Sequence, residues 1–253
     1  MIRARASVVA AAAILLGGCL GGPRTAGADP TSTPISTVSG SGAPALPQPS
    51  WQRCPNPNGG ACLGRLTAGR HSTRALRPAL SYVVPRGWSN MEDLDANLEL
   101  LPPRAGFSEV DAGAADYVGV YRDVSLEDGC ATGPVRGLVR TPSAMMVHLV
   151  RRPDLRMTGL RRVRVGGLSG WVADIRQRPT WHRTCPYSQG LPLSSVLVGI
   201  ADAGLDHPVV PRQTMRLYLL AFHHVVLAVE VEDVTGTSHL AAYSRIVSSF
   251  RFS

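Results

Sequence analysis

The sequence predicts an α+β fold: a mostly antiparallel sheet covered by helices. Three observations lead there. From about residue 76 onward, short β-branched and aromatic segments recur between Gly- and Pro-containing turns. Only two segments carry helix periodicity with a start signal. The chain is 44% hydrophobic, enough for a sizeable core in a domain spanning residues 76–253.

The elements follow in chain order. "LSYVVP" from Leu80 is a strand, and "GWSN" after it turns the chain. The acidic residues Glu92, Asp93 and Asp95 sit in a second turn, before the strand "NLELLP". "ADYVGVYRDV" alternates as a third strand. Thr141-Pro142 is a helix start, an N-cap with Pro at the first helical position. The helix "PSAMMVHLVRR" then places Met145, Leu149 and Arg152 on one side, and Pro153 ends it. "RRVRV" is a short strand and Gly166-Gly167 a hairpin turn. "SGWVADIRQ" returns with Trp171 and Ala173 on one face and Val172 and Asp174 on the other. "SSVLVGIAD" is another strand. The run from Met215 to Val234 is too long and too β-branched for one helix, so it splits near His223-His224 into two antiparallel strands. Thr237 or Ser238 caps a last helix, "LAAYSRIVSSF", with Leu240, Tyr243, Ile246 and Val247 on one stripe.

The N-terminal segment has another purpose. "MIRAR" is a basic leader, and Ala6 to Leu16 is an apolar run too short to span a bilayer, which takes roughly 20 apolar residues. Leu16-Gly17-Gly18-Cys19 resembles the lipobox of bacterial lipoproteins. It implies a signal peptide over residues 1–18, cleavage before Cys19 and acylation of its thiol. Two or more acyl chains hold stably, at about 0.8 kcal/mol per buried methylene. The expected location is the outer face of the cytoplasmic membrane, in the cell envelope. Residues 19–50 are rich in Pro, Gly, Ser, Thr and Ala, and cannot bury enough surface to offset ordering entropy, so they read as a flexible tether. Residues 51–75 form a short loop and a lead-in to the main domain.

Removing Cys19 from the count of five cysteines leaves four, an even number that argues for two disulfides in an exported chain. Proximity pairs Cys54 with Cys62, which leaves Cys130 with Cys185. His182 stands three residues before Cys185, but no second half of a zinc site has the usual spacing, so no metal is expected. No cofactor is expected either.

Apart from seven His, positive charge is carried by Arg alone; the chain has no Lys. The formal net charge of +8 falls to +6 without Arg3 and Arg5, too little to indicate nucleic acid. The densest cationic cluster is Arg151, Arg152, Arg156, Arg161, Arg162 and Arg164, suited to anionic lipid headgroups or acidic wall glycans. Of the aromatic residues, Trp88 and Trp171 read as core and Trp181 as a surface contact beside Cys185. The contact residues expected from sequence are therefore Trp181, His182, Arg151, Arg152, Arg161 and Arg162. No catalytic residue is assigned. "GLSGW" lacks the final Gly and the following helix of a nucleophile elbow, so Ser169 belongs to a turn. Glu230 and Glu232 alternate along a strand and read as its outward polar face.

"YVVPRGWSNMEDLDANLELLPP", "DGC", the Pro-led helix, "VRVGGLSGWVADI", Trp181, Cys185 and "IVSSFRF" together resemble actinobacterial LpqN/LpqT-type lipoproteins. The resemblance covers Leu80 to Phe252. It implies a PsbP-like sandwich and an accessory or binding role in the envelope, with a ligand, glycan or another envelope protein as partner. The rival readings are an envelope hydrolase, built from the acidic turns or His182, and an assembly factor docking to a membrane complex.

Overall fold

The computed structural model describes residues 65–253, apart from 104, 106–114, 131–132, 189 and 202–204. The leader, the tether, Cys19 and the Cys54–Cys62 pairing lie outside the described residues.

A central antiparallel sheet of seven strands organises the domain. Its order is β3 (Ser89–Asp93), β4 (Asn97–Leu101), β5 (Tyr117–Arg122), β12 (Val225–Asp233), β11 (Thr214–Phe222), β8 (Leu168–Gln177), β7 (Leu155–Val165). One face carries a three-stranded sheet of β1 (Gly69–Ser72), β2 (Leu80–Val84) and β13 (Arg251–Phe252), together with helix α2 (Leu240–Ser248). The other carries β6 (Val124–Leu126), β9 (Ser194–Gly199) and β10 (Asp206–Val209), together with helix α1 (Pro142–Arg151).

This corrects the expected fold class. The sheet is not covered by helices. Among the described residues there are thirteen strands and only two helices, of ten and nine residues. Most of the covering comes from two small sheets. The two helices are too short to roof seven strands, so the remaining apolar faces of the central strands are buried against strand layers.

Two cores result, one on each face. Alternation along β12 sends Leu227, Val229 and Val231 into the first core and Val226 and Ala228 into the second. Likewise Tyr218 and Leu220 of β11 face the first, and Met215, Leu217 and Leu219 the second. A central strand of a three-layer structure is buried on both faces, so Leu217 to Leu220 of β11 and Val226 to Val229 of β12 are continuous apolar runs.

Several local expectations hold. Thr141 caps α1, its Oγ1 accepting from Ala144 N at 3.3 Å, and Met145, Leu149 and Arg152 are buried on one side. Gly166 and Gly167 take φ of 58° and 96° in the β7–β8 turn, conformations that an L side chain strains to adopt. The long C-terminal run breaks at His223-His224, with Phe222 pairing Val225 across the turn. Trp88 is buried, edge-on to Tyr243 at 5.1 Å.

Other expectations change. Ser89–Asp93 is a strand rather than a turn. Asp93 is fully buried and accepts backbone N–H bonds from Arg74, Ala75 and Leu76. The segment read as one strand from Ala115 to Val124 breaks at Asp123, whose φ of 54° turns the chain out of the central sheet and into the small one. Helix α2 has no side-chain cap from Thr237 or Ser238; instead the Asp233 carboxylate accepts from His239 N and Thr235 N. Among the described residues no helix is long and apolar enough to cross a membrane.

Candidate ligand-binding cleft

The C-terminal end of α1 brings together much of the surface predicted for contact. Arg151, Arg152, Pro153 and Asp154 meet Asp128 and Gly129 from the end of β6, and Trp181 and Arg183 from the loop after β8. They line an open cleft of about 470 Å³.

Its floor is rigid for reasons that begin in the sequence. Pro153 stops α1, so Arg152 becomes the residue after the helix and its side chain turns inward. The Arg152 guanidinium is buried and forks onto Asp154, with Nε to Oδ1 at 3.0 Å. Its Nη1 also donates to the carbonyl oxygens of Glu127, at 2.6 Å, and Ser195, at 2.5 Å. One cation thus ties α1 to β9 and to the end of β6. Burial pushes the Asp154 carboxyl up, but the Arg152 hydrogen bond and charge outweigh it and hold the group below the usual range.

The Cys130–Cys185 disulfide forms as expected, closing a separation of 55 residues. It joins the loop that carries Asp128 and Gly129 to the loop that carries Trp181 and Arg183. The indole of Trp181 donates from Nε1 to Leu193 O at 3.2 Å, which fixes the ring while leaving it half-buried. His148 of α1 meets Asp128 at 2.9 Å.

The two outer cations differ from Arg152. Arg151 and Arg183 are exposed, and neither has a hydrogen bond or ion pair among the described residues. Two unpaired guanidiniums therefore share the cleft lining with a fixed aromatic ring and a neutralised Arg152–Asp154 pair. Guanidinium forks match carboxylate and phosphate, and aromatic faces are common in ligand clefts. Chemically, the arrangement suits a ligand with both an anionic group and a ring or apolar face.

The predicted contact residues separate in space. Trp181, Arg151 and Arg152 share this cleft, but Arg152 is scaffold rather than free cation. His182 lies in a neighbouring cleft of about 370 Å³, with Trp181 as the common wall and Arg178 and Arg212 nearby. Arg161 and Arg162 lie on β7, outside both clefts, paired opposite Val172 and Trp171. Arg183 was missed by sequence reasoning, although its place between Trp181 and Cys185 is a usable signal.

A second polar group was misread. Glu230 and Glu232 share a face as expected, but the face is inward, and both are fully buried. Tyr117 donates to Glu230 Oε2 at 2.8 Å, and His207 of β10 contacts the same oxygen. Gln213 donates to Glu232, and Tyr121 donates to Glu99 at 2.6 Å. Tyr121 reaches Glu99 because residue 119 is Gly: a Cβ there would meet the Tyr121 hydroxyl at 2.3 Å. A pocket of about 170 Å³, lined by Glu99, Tyr117, Asp206 and His207, opens beside this cluster.

Electrostatics in the cluster follow from burial. Desolvation and the Glu230 charge push Glu232 well above the carboxylate range. Desolvation opposes a charged His207, but the adjoining Glu230 carboxylate overrides it and raises the imidazole. Burial and the nearby carboxylates likewise push the Tyr117 and Tyr121 phenols far up. Glu127, buried at the edge of the cleft, is raised to about 7 by desolvation, by Asp206 and by the hydrogen bond it shares with Asp206, against the lowering effect of Gly133 N–H and Arg152.

The groups considered for hydrolysis do not meet. Asp93 caps backbone, Asp95 pairs with Arg122, Asp128 with His148, and His182 stands apart. Asp116, Asp233 and His239 each place one ligand atom within 4.8 Å of the others. Those atoms already bond Tyr243, Val234 N, Thr235 and each other at the start of α2, so the group reads as a helix-end brace.

No protein-family model matches the chain, and no curated protein matches it. Several solved structures are similar, two of them as follows. The cyanobacterial PsbP (CyanoP) of Synechocystis sp. PCC 6803 is 9% identical at a TM-score of 0.36, over 77% of this chain and 98% of that one. A protein of Bacteroides thetaiotaomicron VPI-5482 is 9% identical at a TM-score of 0.35, over 74% of this chain and 49% of that one. This chain thus spans about half the length of the Bacteroides protein.

Proposed function

We propose that this chain is a lipid-anchored cell-envelope protein with a non-catalytic binding role, and that its ligand is an anionic envelope molecule seated in the Trp181 cleft. A kinship to LpqN/LpqT-type lipoproteins, with a PsbP-like domain, belongs to the same proposal. The observation that carries the binding role is the pair of unpaired guanidiniums, Arg151 and Arg183, lining one cleft with a ring held in place by its own indole hydrogen bond. Every other charge in the cleft already has a partner: Arg152 with Asp154, and His148 with Asp128.

Binding is tested on the full chain with an oligosaccharide of galacturonic acid, against a neutral dextran oligosaccharide of equal length. The acidic probe is expected to bind and the neutral one to bind at least tenfold more weakly. Arg183→Gln is expected to cost about tenfold or more, in line with a lost charge-assisted hydrogen bond of about 1.5–3 kcal/mol, and Trp181→Ala is expected to cost about tenfold through the lost ring contact. Equal binding of both probes, or variants indistinguishable from the parent, rejects the cleft as the ligand site.

Anchoring rests on Leu16-Gly17-Gly18-Cys19 behind a short apolar run. Mass analysis of the native protein is expected to give a chain beginning at an acylated Cys19. A mature chain beginning elsewhere, or carrying Cys19 without acyl groups, removes the anchor from the proposal.

A further inference from the structure

The outer face of α1 leaves aliphatic surface in solvent. The helix buries Met145, Met146 and Leu149, yet Val147 and Val150 are 50% and 52% exposed. Leu160 of β7, 43% exposed, lies across from them beside the half-buried Trp171. With Ser143, Met146 and Arg151 these residues line an open, almost wholly apolar groove of about 230 Å³.

The charge around this groove has one sign. Strand pairing sets Arg162 opposite Trp171 and Arg164 opposite Ser169, so alternation puts both on the face that Trp171 shares with α1. The Arg162 guanidinium sits 5.4 Å from the Trp171 ring centre. From residue 142 to residue 165 the only carboxylate is Asp154, which is buried and held by Arg152. Among the described residues no Asp or Glu pairs with Arg151, Arg162 or Arg164.

An aliphatic groove edged by uncompensated guanidiniums complements a surface that is greasy within and negative at its rim. We propose that this face docks on an anionic lipid bilayer. Val147, Val150 and Leu160 enter the boundary between headgroups and acyl chains. Arg151, Arg162 and Arg164 fork onto lipid phosphates, which planar guanidinium does bidentately. Arg without Lys suits this role, because guanidinium is more weakly hydrated than ammonium and loses less on approaching the interface. The inference is independent of what fills the Trp181 cleft. Arg151 lines both, so the test leaves it unchanged.

The experiment measures partition of the full chain onto vesicles of equal phosphatidylglycerol and phosphatidylcholine, and onto phosphatidylcholine alone. The N-terminal leader is common to every variant and cancels in the comparison. Arg162→Gln with Arg164→Gln is expected to lower partition onto the anionic vesicles about thirtyfold, since each basic residue near such a surface contributes about a factor of five, and to change partition onto the neutral ones less than twofold. Val147→Asp with Val150→Asp is expected to lower partition onto the anionic vesicles at least tenfold. All four positions are exposed, and unchanged unfolding midpoints verify that the variants fold. If either pair stays within twofold of the parent on anionic vesicles, the proposal is overturned. That outcome includes a face built for an acidic protein, and a chain whose leader does all the binding.

Discussion

Replacing Arg152 by Ala is expected to destabilise the domain by about 3–5 kcal/mol, the usual result of breaking a buried ion pair from one side. The Asp154 carboxylate would be left buried without its fork, and the carbonyls of Glu127 and Ser195 would lose their donor. Urea unfolding monitored by tryptophan fluorescence reads the loss. The effect has a pH signature. In the parent, the Asp154 carboxyl is held below its ordinary value of 3.8, so its stabilisation is present above that value and lost as pH falls through the folded-state value. In the variant that contribution is gone, because burial without Arg152 pushes the carboxyl up. The gap between parent and variant should therefore be widest near neutral pH and narrow below about pH 4. Changing Asp154 to Ala as well should aggravate the loss less than additively, because the two side chains share one interaction. A variant within about 1 kcal/mol of the parent at pH 7 would mean that Arg152 is not the tie between α1, β6 and β9.

Changing Cys130 and Cys185 together to Ser is expected to cost about 4 kcal/mol, the chain-entropy value for a closed loop of 55 residues. The tie spans the segment that contains α1, β7 and β8, so the reduced chain regains freedom across a third of the domain. Thermal unfolding of the double variant against the oxidised parent measures this. A binding consequence should accompany it. The disulfide joins two loops that both line the Trp181 cleft, so the acidic oligosaccharide should bind more weakly even where the variant is folded. Undiminished binding in a folded, destabilised variant would separate the staple from the site.

Both predictions centre on residues that the sequence had already marked, though for different reasons. Arg152 stood out as part of a cationic cluster suited to anions. Its neighbours Arg151, Arg161, Arg162 and Arg164 are exposed, but Arg152 itself is inside. A run of arginines carries no mark of which one follows a helix end and which one rides on it. The disulfide was different, because an even cysteine count and the nearness of Cys54 to Cys62 left a single remaining pair, and that pair forms.

The buried carboxylates show the opposite case. Val229, Glu230, Val231 and Glu232 alternate as a strand with one face in water does. In the fold, the valines face one core and the glutamates face the other, beneath the layer of β6, β9 and β10. The same period of two describes a half-exposed strand and a strand whose polar face has been roofed over. Nothing local separates them, because the roof comes from residues more than twenty positions away.

What sequence alone determined was local and periodic: the capped helix ended by Pro153, the Gly166-Gly167 turn, the break at His223-His224, the alternation along β8, the shared face of Glu230 and Glu232, and the Cys130–Cys185 pairing. These depend on backbone sterics, side-chain period and covalent arithmetic, which act over a few residues or through a count. The tertiary structure decided that strand layers rather than helices cover the central sheet, that Glu230 and Glu232 are inward, and that Arg183 joins Arg151 and Trp181 in one cleft. Those outcomes are set by which apolar faces find one another across long loops, a global contest of burial that no short window of residues contains.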